Sequence, residues 1–523
     1  MNNKLNIAET LRQNLQDKRY EIQEGNLGTA IQVDAGTHKD VIKALIDVDR
    51  KAALTAITGL DLGENIGVLY HIHLSDGFVT VRVEVPKENP KLATITDLMP
   101  GGAFHEREVT DLLGVTIEGH PSPGRLLLSE NWPENVYPLR KDCKANEVRL
   151  VPASEKETIL QDDERLVNII VGPQHPALCE PEKFTVIANG EIVKSIEPRI
   201  GYVHRGIEKA AEGKTYIQGV FLVERICGIC NSCHAAGYVE TVEKILKTPI
   251  PNRAKYIRTV ILELNRLHSH LLLLGHAGLE IGYETLFQYI WRDREPIMDL
   301  IEMITGNRVI SSDMTVGGVR RDIKETHFPK IKSTIADLRK KMVFYKNLYQ
   351  DEPSLKLRMQ NVGVLSKEDA VKLCVVGPIA RASGLDIDVR KDEPYEAYGE
   401  IPFKEITYTQ GDAWARMMVR VDEVEESIQI IEYAIDNMPK GPFRVDVPRL
   451  VPAGEAAARV EAPRGELFYY IKSNGTAMPD RVKVRTPTFA NLPCFLKTIE
   501  GENIADVPAN LASLDPCFSC TDR

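Results

Sequence analysis

Apolar positions along the chain fall into two periods. Val68, Tyr70, Ile72 and Leu74 alternate with other residues up to Asp76-Gly77, and Val79, Val81, Val83 and Val85 then alternate again. Period two on both sides of an Asp-Gly turn predicts a β-hairpin. Before it, Thr37 stands as an N-cap for Val41, Ile42, Leu45 and Ile46, spaced as one face of an amphipathic helix. Val167–Val171 reads as a further strand, and Phe184–Ile187 and Glu191–Val193 flank Asn189-Gly190 as a second hairpin. Beyond it the period becomes helical. Ile257, Val260, Ile261, Leu264, Leu267 and Leu271 are spaced by threes and fours, as are Met417, Val421, Val424, Ile428 and Ile431. Segments 285–305 and 329–350 are further helices, and no repeat of solenoid length interrupts them.

The pattern predicts an α+β chain: a small α+β domain over 1–145, a linker over 146–165 with an acidic Gln161–Glu164 stretch, and a mainly helical bundle over 166–523 that opens on a small β-sheet. At 523 residues with 43% hydrophobic content the chain has ample core. A net charge of −10 without a block of Lys and Arg argues against nucleic acid as a partner. The apolar run Leu271–Leu274, between His270 and His276, is far short of the roughly 20 residues that span a bilayer, so membrane association is expected to pass through partner subunits. Nine cysteines and no apolar secretory segment after Met1 indicate a reducing, cytoplasmic setting.

Four of those cysteines form two Cys-x-x-Cys pairs, Cys227/Cys230 and Cys517/Cys520. Two distant pairs converge only in a folded core, where four thiolates select a soft metal. Zinc and an iron–sulfur cluster both accept such a set, but the separation far exceeds the roughly 15–20-residue loop of a zinc ribbon. Cys233 is expected to be a small buried neighbour, and Cys143, Cys179, Cys374 and Cys494 structural thiols. His234, four residues after Cys230, shares its helical face and suits hydrogen bonding to a thiolate, or ligation. Glu180, in an apolar setting, suits proton carriage if burial raises its pKa; a surface carboxylate is the plainer reading. Arg464, between Pro463 and Gly465, would hold a guanidinium against an anion or simply form a turn. Glu208 is equally open. His71 and His73 share a strand face, expected to be solvated rather than a metal edge. The charged run from Glu106 through Asp111, Arg125 and Trp132 to Asp142 reads as a docking surface or a solvated loop cluster.

These motifs resemble a known family. Arg225-x-Cys227-Gly228-x-Cys230 with His234, and Asp515-Pro516-Cys517-x-x-Cys520, are similar to the large subunit of nickel–iron hydrogenases. Gly172–Pro176, Gly201–Lys209, Gly317–Asp322 and Gly377-Pro378-x-Ala380-Arg381-x-Ser383-Gly384 resemble the branch related to the 49-kDa subunit of respiratory complex I. The N-terminal charged cluster is similar to the 30-kDa subunit. The fusion thus resembles the large subunit of formate hydrogenlyase-type, group 4 membrane-bound hydrogenases.

The resemblance implies a nickel–iron centre with Cys227 and Cys517 as terminal nickel ligands, and Cys230 and Cys520 bridging to an iron that carries two cyanides and one carbon monoxide. It implies Glu180 as first proton carrier and Arg464 near the cyanides, with reversible reduction of protons to hydrogen as the activity. Electrons would come from a [4Fe–4S] cluster in a partner small subunit, with ferredoxin-like and membrane-arm subunits on the cytoplasmic side of the membrane. Formate, carbon monoxide and ferredoxin are all compatible as electron sources. A complex I-like quinone-pocket scaffold without the metals, or a zinc-bearing structural protein, is the competing expectation. Many soluble members carry a metal-binding His where Arg523 stands. A guanidinium cannot ligate a metal, so the second metal site beside Glu208 is not expected. Many relatives also carry a C-terminal tail that is removed after nickel insertion, so a chain closing at Arg523 is expected to be matured or encoded without one.

Overall fold

A computed structural model describes residues 20–25, 27–75, 77–152, 165–176 and 178–523. Asp76 and the predicted Gln161–Glu164 stretch lie outside the described residues. The N-terminal part is a five-stranded sheet in the order β1-β2-β5-β4-β3, built from β1 (Tyr20–Gly25), β2 (Gly28–Val33), β3 (Ala53–Asp61), β4 (Asn65–Leu74) and β5 (Gly77–Pro86). The predicted hairpin is β4–β5, with Val68, Tyr70, Ile72 and Leu74 buried on its inner face. Helix α1 (His38–Val48) starts after Thr37 as predicted, although the Thr37 side chain makes no capping bond. Helix α2 (Ala103–Leu113) carries the charged run.

The second part opens on a three-stranded sheet of β6 (Leu166–Val171), β7 (Lys183–Asn189) and β8 (Ile192–Arg199), its second hairpin turning at Asn189 and Gly190. The bundle follows: α3 (Asn231–Leu246), α4 (Asn252–Glu280), α5 (Glu284–Thr305), α6 (Phe328–Asp351) and α7 (Ala413–Asp436). A second three-stranded sheet, which the periodicity did not predict, comprises β9 (Gly454–Ala462), β10 (Gly465–Ser473) and β11 (Pro479–Arg485). It is buried on both faces: β10 is a nearly continuous apolar run, while the alternation Arg481-Val482-Lys483-Val484-Arg485 in β11 places its charged side chains in interior ion pairs rather than in solvent. The chain then runs through α8 (Pro487–Thr498), α9 (Val507–Leu514) and α10 (Phe518–Asp522).

These closing helices join two cores. Phe489, Phe495, Leu511 and Phe518 pack into the same apolar cluster as the N-terminal sheet, whereas Cys517 and Cys520 face the bundle cluster that holds Cys227 and Cys230. The part of the charged run that lies on α2 is largely buried. Glu106, Glu108 and Asp111 are buried. Asp111 accepts the backbone N–H groups of Leu126 and Leu127 at 2.7 and 2.8 Å, and Glu108 meets Lys483 of β11 at 2.5 Å. Glu108 thus docks on the second half of the same chain, whereas Asp111 braces the N-terminal part itself, and Arg125 and Trp132 are half-buried and Asp142 exposed.

His71 also departs from the expectation. It is fully buried, with its ring nitrogens 3.0 Å from the hydroxyls of Thr80 and Thr58. Burial pushes its pKa down to about 3. The unfolded chain binds a proton near pH 6.5 and the native ring does not, so this stability is present above pH 6.5 and is lost as pH falls towards 3. At about 1.4 kcal/mol per pH unit, His71 alone is expected to cost about 2 kcal/mol between pH 6.5 and 5. Chemical unfolding at the two pH values checks this, with His71→Gln expected to flatten the slope.

Candidate metal centre

The two Cys-x-x-Cys pairs meet. The loop Cys227–Cys230 turns into the N-terminus of α3, while Cys517 and Cys520 sit on α10 and the residue before it. Cys227 Sγ lies 3.3 Å from Cys517 Sγ, and Cys230 Sγ lies 3.4 Å from Cys520 Sγ. The sulfurs of Cys227, Cys517 and Cys520 are all within 4.8 Å of one another, and all four residues are buried. Hydrogen bonding from Cys230, Cys517 and Cys520 holds the Cys227 thiol well below its ordinary pKa. The same pairing with Cys227 pushes Cys230 and Cys517 up, and burial pushes up Cys520. The donor set, soft, buried and clustered, fits a thiolate-bound metal centre.

Other predicted residues gather around the sulfurs. His234 Nε2 is 3.5 Å from Cys520 Sγ, and Nδ1 is 2.7 Å from the Tyr469 hydroxyl. Burial pushes the His234 pKa down to about 4, so the ring is neutral. With Tyr469 donating to Nδ1, Nε2–H is left to donate to the sulfur. Tyr469 carried no signal in the sequence, being one aromatic in an apolar strand. Cys233 is buried beside the cluster, as expected.

Arg464 occupies the two-residue loop between β9 and β10, where Ala462 pairs with Gly465. Its Nε donates to the Asp515 carbonyl at 2.7 Å and its Nη2 to Asp515 Oδ1 at 2.6 Å. Burial alone would weaken its charge, but Asp515 and the nearby sulfurs reverse this and lift the pKa. The loop is pinned because Gly465, at φ +125°, lies against Gly377, whose Cα would be 2.8 Å from an added Cβ. This explains both the glycine after Arg464 and the first residue of the Gly-Pro-x-Ala motif.

Glu180 is half-buried rather than enclosed in apolar surroundings. Its Oε2 accepts the Ser519 backbone N–H at 2.7 Å, which fixes it to α10. Glu180, Cys179, His276, Arg464, Asp515 and Cys517 share the wall of a cavity of about 190 Å³. Cys179 is exposed, not a core thiol, and its sulfur is 3.4 Å from His276 Nε2.

Glu208 does not offer a second metal site. Arg481 Nη2 donates to its Oε2 at 2.8 Å, and the Val484 N–H and Arg523 Nε donate to its Oε1 at 3.0 and 3.2 Å. Arg523 also pairs with Glu108, and Lys483 lies against both carboxylates. Three cationic side chains already surround two carboxylates, leaving a divalent ion neither free oxygens nor a favourable field.

Comparison with known proteins follows the same division. Residues 31–149 match the family "Respiratory-chain NADH dehydrogenase, 30 Kd subunit", residues 280–452 and 447–523 match "Respiratory-chain NADH dehydrogenase, 49 Kd subunit", and residues 205–277 match "Nickel-dependent hydrogenase". The C/D subunit of the NADH-quinone oxidoreductase of Phocaeicola vulgatus is 37% identical over 498 residues, covering 90% of this chain and 95% of that protein. Formate hydrogenlyase subunit 5 of Escherichia coli is 35% identical over 471 residues, covering 88% and 83%. Among solved structures, a chain of the archaeal membrane-bound sulfane sulfur reductase, a respiratory membrane complex, matches with a TM-score of 0.67 and 34% identity, over 69% of this chain and 100% of its own.

The glycine contact gives a test of how Arg464 is held. Gly465→Ala is expected to cost about 1–3 kcal/mol, lowering the thermal midpoint and displacing Arg464 from Asp515 in a structure of the variant.

Proposed function

This chain belongs to the family that joins complex I 30-kDa- and 49-kDa-type domains with the nickel-dependent hydrogenase large subunit, and we propose that within it the chain is the catalytic subunit of a membrane-associated nickel–iron hydrogenase. The observation that carries this reading is the meeting of four buried thiols, at 3.3 and 3.4 Å, from two pairs far apart in the chain. Cys227 and Cys517 would hold nickel, and Cys230 and Cys520 would hold it jointly with an iron bearing cyanide and carbon monoxide. The bound centre supplies two-electron chemistry between protons and hydrogen.

The protein's part is proton supply, orientation and exclusion of water. Glu180, anchored to Ser519 at the cavity wall, delivers and accepts the proton at its carboxylate beside Cys517. Arg464 presents a fixed cation to the anionic ligands of the iron. His234 steadies Cys520 by hydrogen bonding. The buried bundle core keeps bulk water from the sulfurs. Electrons enter from an iron–sulfur small subunit, accompanied by ferredoxin-like and membrane-arm subunits. Among the described residues no helix is long and apolar enough to cross a membrane, which favours peripheral attachment through those partners on the cytoplasmic side. Domain limits of 1–145 and 166–523 with a 146–165 linker accompany this proposal.

The second reading, a quinone-pocket scaffold, is favoured by the NADH-quinone oxidoreductase relatives. Against it, the cavity of about 190 Å³ is smaller than the roughly 300–1,000 Å³ of typical organic-ligand sites, and the four thiols have no role in that reading. The purified complex is expected to contain nickel in proportion to this chain and to show infrared cyanide and carbonyl bands, both lost in Cys520→Ser. Absence of nickel, with quinone-dependent turnover that survives Cys520→Ser, would instead establish the scaffold. Glu180→Gln is expected to lower hydrogen turnover by about 10²–10⁴-fold at unchanged nickel content; undiminished turnover would move the proton role elsewhere.

A further inference from the structure

Arg420 on α7 is buried and has no carboxylate partner. Its Nη1 donates to the Arg416 carbonyl at 2.8 Å and to the Ser513 carbonyl at 3.1 Å. Its Nε and Nη2 are buried without a protein hydrogen-bond partner among the described residues. Two carboxylates lie in its electrostatic reach, Asp515 and Glu423, and both are engaged. Asp515 Oδ1 holds Arg464, while Glu423 is held by Arg381 and by His270 Nε2 at 2.8 Å. Burial consequently pushes the Arg420 pKa down to about 10.

Two acceptors on groups within electrostatic reach of Arg420 are also left over. Asp515 Oδ2 and His270 Nδ1 are buried and likewise lack a protein partner among the described residues. His270 is neutral, since burial pushes its pKa down to about 4, so with Nε2–H donating to Glu423 its Nδ1 presents a lone pair. Three unused N–H groups on two nitrogens and two unused acceptors suit one or two water molecules, each of which accepts two hydrogen bonds and donates two. An anion fits less well, because it would face the Asp515 and Glu423 carboxylates and could not donate to Asp515 Oδ2 or His270 Nδ1.

We propose that Arg420 is a positioning residue for the metal centre: through one or two buried waters it bridges Asp515 Oδ2 and His270 Nδ1, and so fixes the carboxylate that aims the Arg464 guanidinium. Arg464 and Asp515 are then the inner members of a hydrated polar chain that continues through Arg420 to the His270–Glu423–Arg381 pairs. This deepens the hydrogenase reading and rests on it for the consequence to turnover, but the hydration and the geometry stand apart from any metal.

A structure of the purified complex at better than about 2 Å resolution tests the bridge directly, since ordered waters are resolved there. Water within hydrogen-bonding distance of both Arg420 and Asp515 Oδ2 is expected. A direct Arg420–Asp515 contact, or an anion in the water's place, overturns the proposal. In Arg420→Met the Asp515 carboxylate is expected to rotate, the Arg464–Asp515 pairing to lengthen, and the infrared cyanide bands to shift, with Arg420→Lys restoring them in part. Turnover should fall on the order of tenfold in Arg420→Met, a barrier change of about 1.4 kcal/mol. If Arg420→Met does not fold, the water in the unsubstituted complex and the Arg420→Lys geometry decide. Unchanged Asp515 and Arg464 positions in a folded Arg420→Met variant refute the positioning role. If the unsubstituted complex lacks nickel and diatomic bands, the hydrogenase reading fails while the density at Arg420 still settles the bridge.

Discussion

Four sulfur atoms held within a few ångströms of one another in a buried core form the constraint from which the rest of the architecture follows. Two unit negative charges 3.4 Å apart repel by about 5 kcal/mol at an effective dielectric of 20, and four cannot coexist there without compensating cations. The protein provides one cation nearby, Arg464, and pins it by a hairpin loop, a pair of facing glycines and Asp515. It also provides a neutral hydrogen-bond donor in His234, kept neutral by burial and oriented by Tyr469. The remaining compensation falls to the metals that such a donor set selects. Each arrangement is a way of tolerating or directing that charge.

Much of this was legible in the residues. The Cys-x-x-Cys pairs with His234 could be placed at one site because thiolate chemistry is local in sequence even when its assembly is not, whereas only the family resemblance assigns Arg464 to it. The hairpins at Gly77 and Gly190 and the long helices followed from period and turn residues. What escaped was set by tertiary contact. In the β9–β11 sheet the middle strand is a nearly continuous apolar run, and the charges that alternate with Val482 and Val484 in the last strand are buried against carboxylates of distant segments. Glu108 and Arg523 look like surface charges in the sequence but neutralise each other in the interior, and nothing in either local segment announces a partner in the other half of the chain. Tyr469 and Arg420 are the same case: their neighbours, not their own segments, give them their roles.

Relatives with quinone-linked and formate-linked names share this fold, and a fold of this kind does not by itself select the chemistry. What differs is decided within a small volume, by which side chains face the cavity and whether they offer sulfur. In this chain the wall that faces Glu180 and Arg464 also carries Cys517. The internal ion pairs explain how such a wall keeps its shape. Arg381, Glu423, Glu461, Asp388, Arg390 and Glu263 form a continuous buried network of ion pairs, most of them hydrogen-bonded as well. Networks of that kind resist partial rearrangement, because removing one member leaves another charged and unpaired.

Each sulfur contact, Cys227 with Cys517 and Cys230 with Cys520, joins residues 290 positions apart. A metal bonded to one thiolate from each pair is therefore a cross-link that closes a very large ring. By the chain-entropy treatment used for disulfides, such a closure removes roughly 6 kcal/mol of conformational freedom from the unfolded chain. A metal bound in this pocket would consequently act as a mechanical fastener between the middle of the chain and its last helix, independent of any reaction.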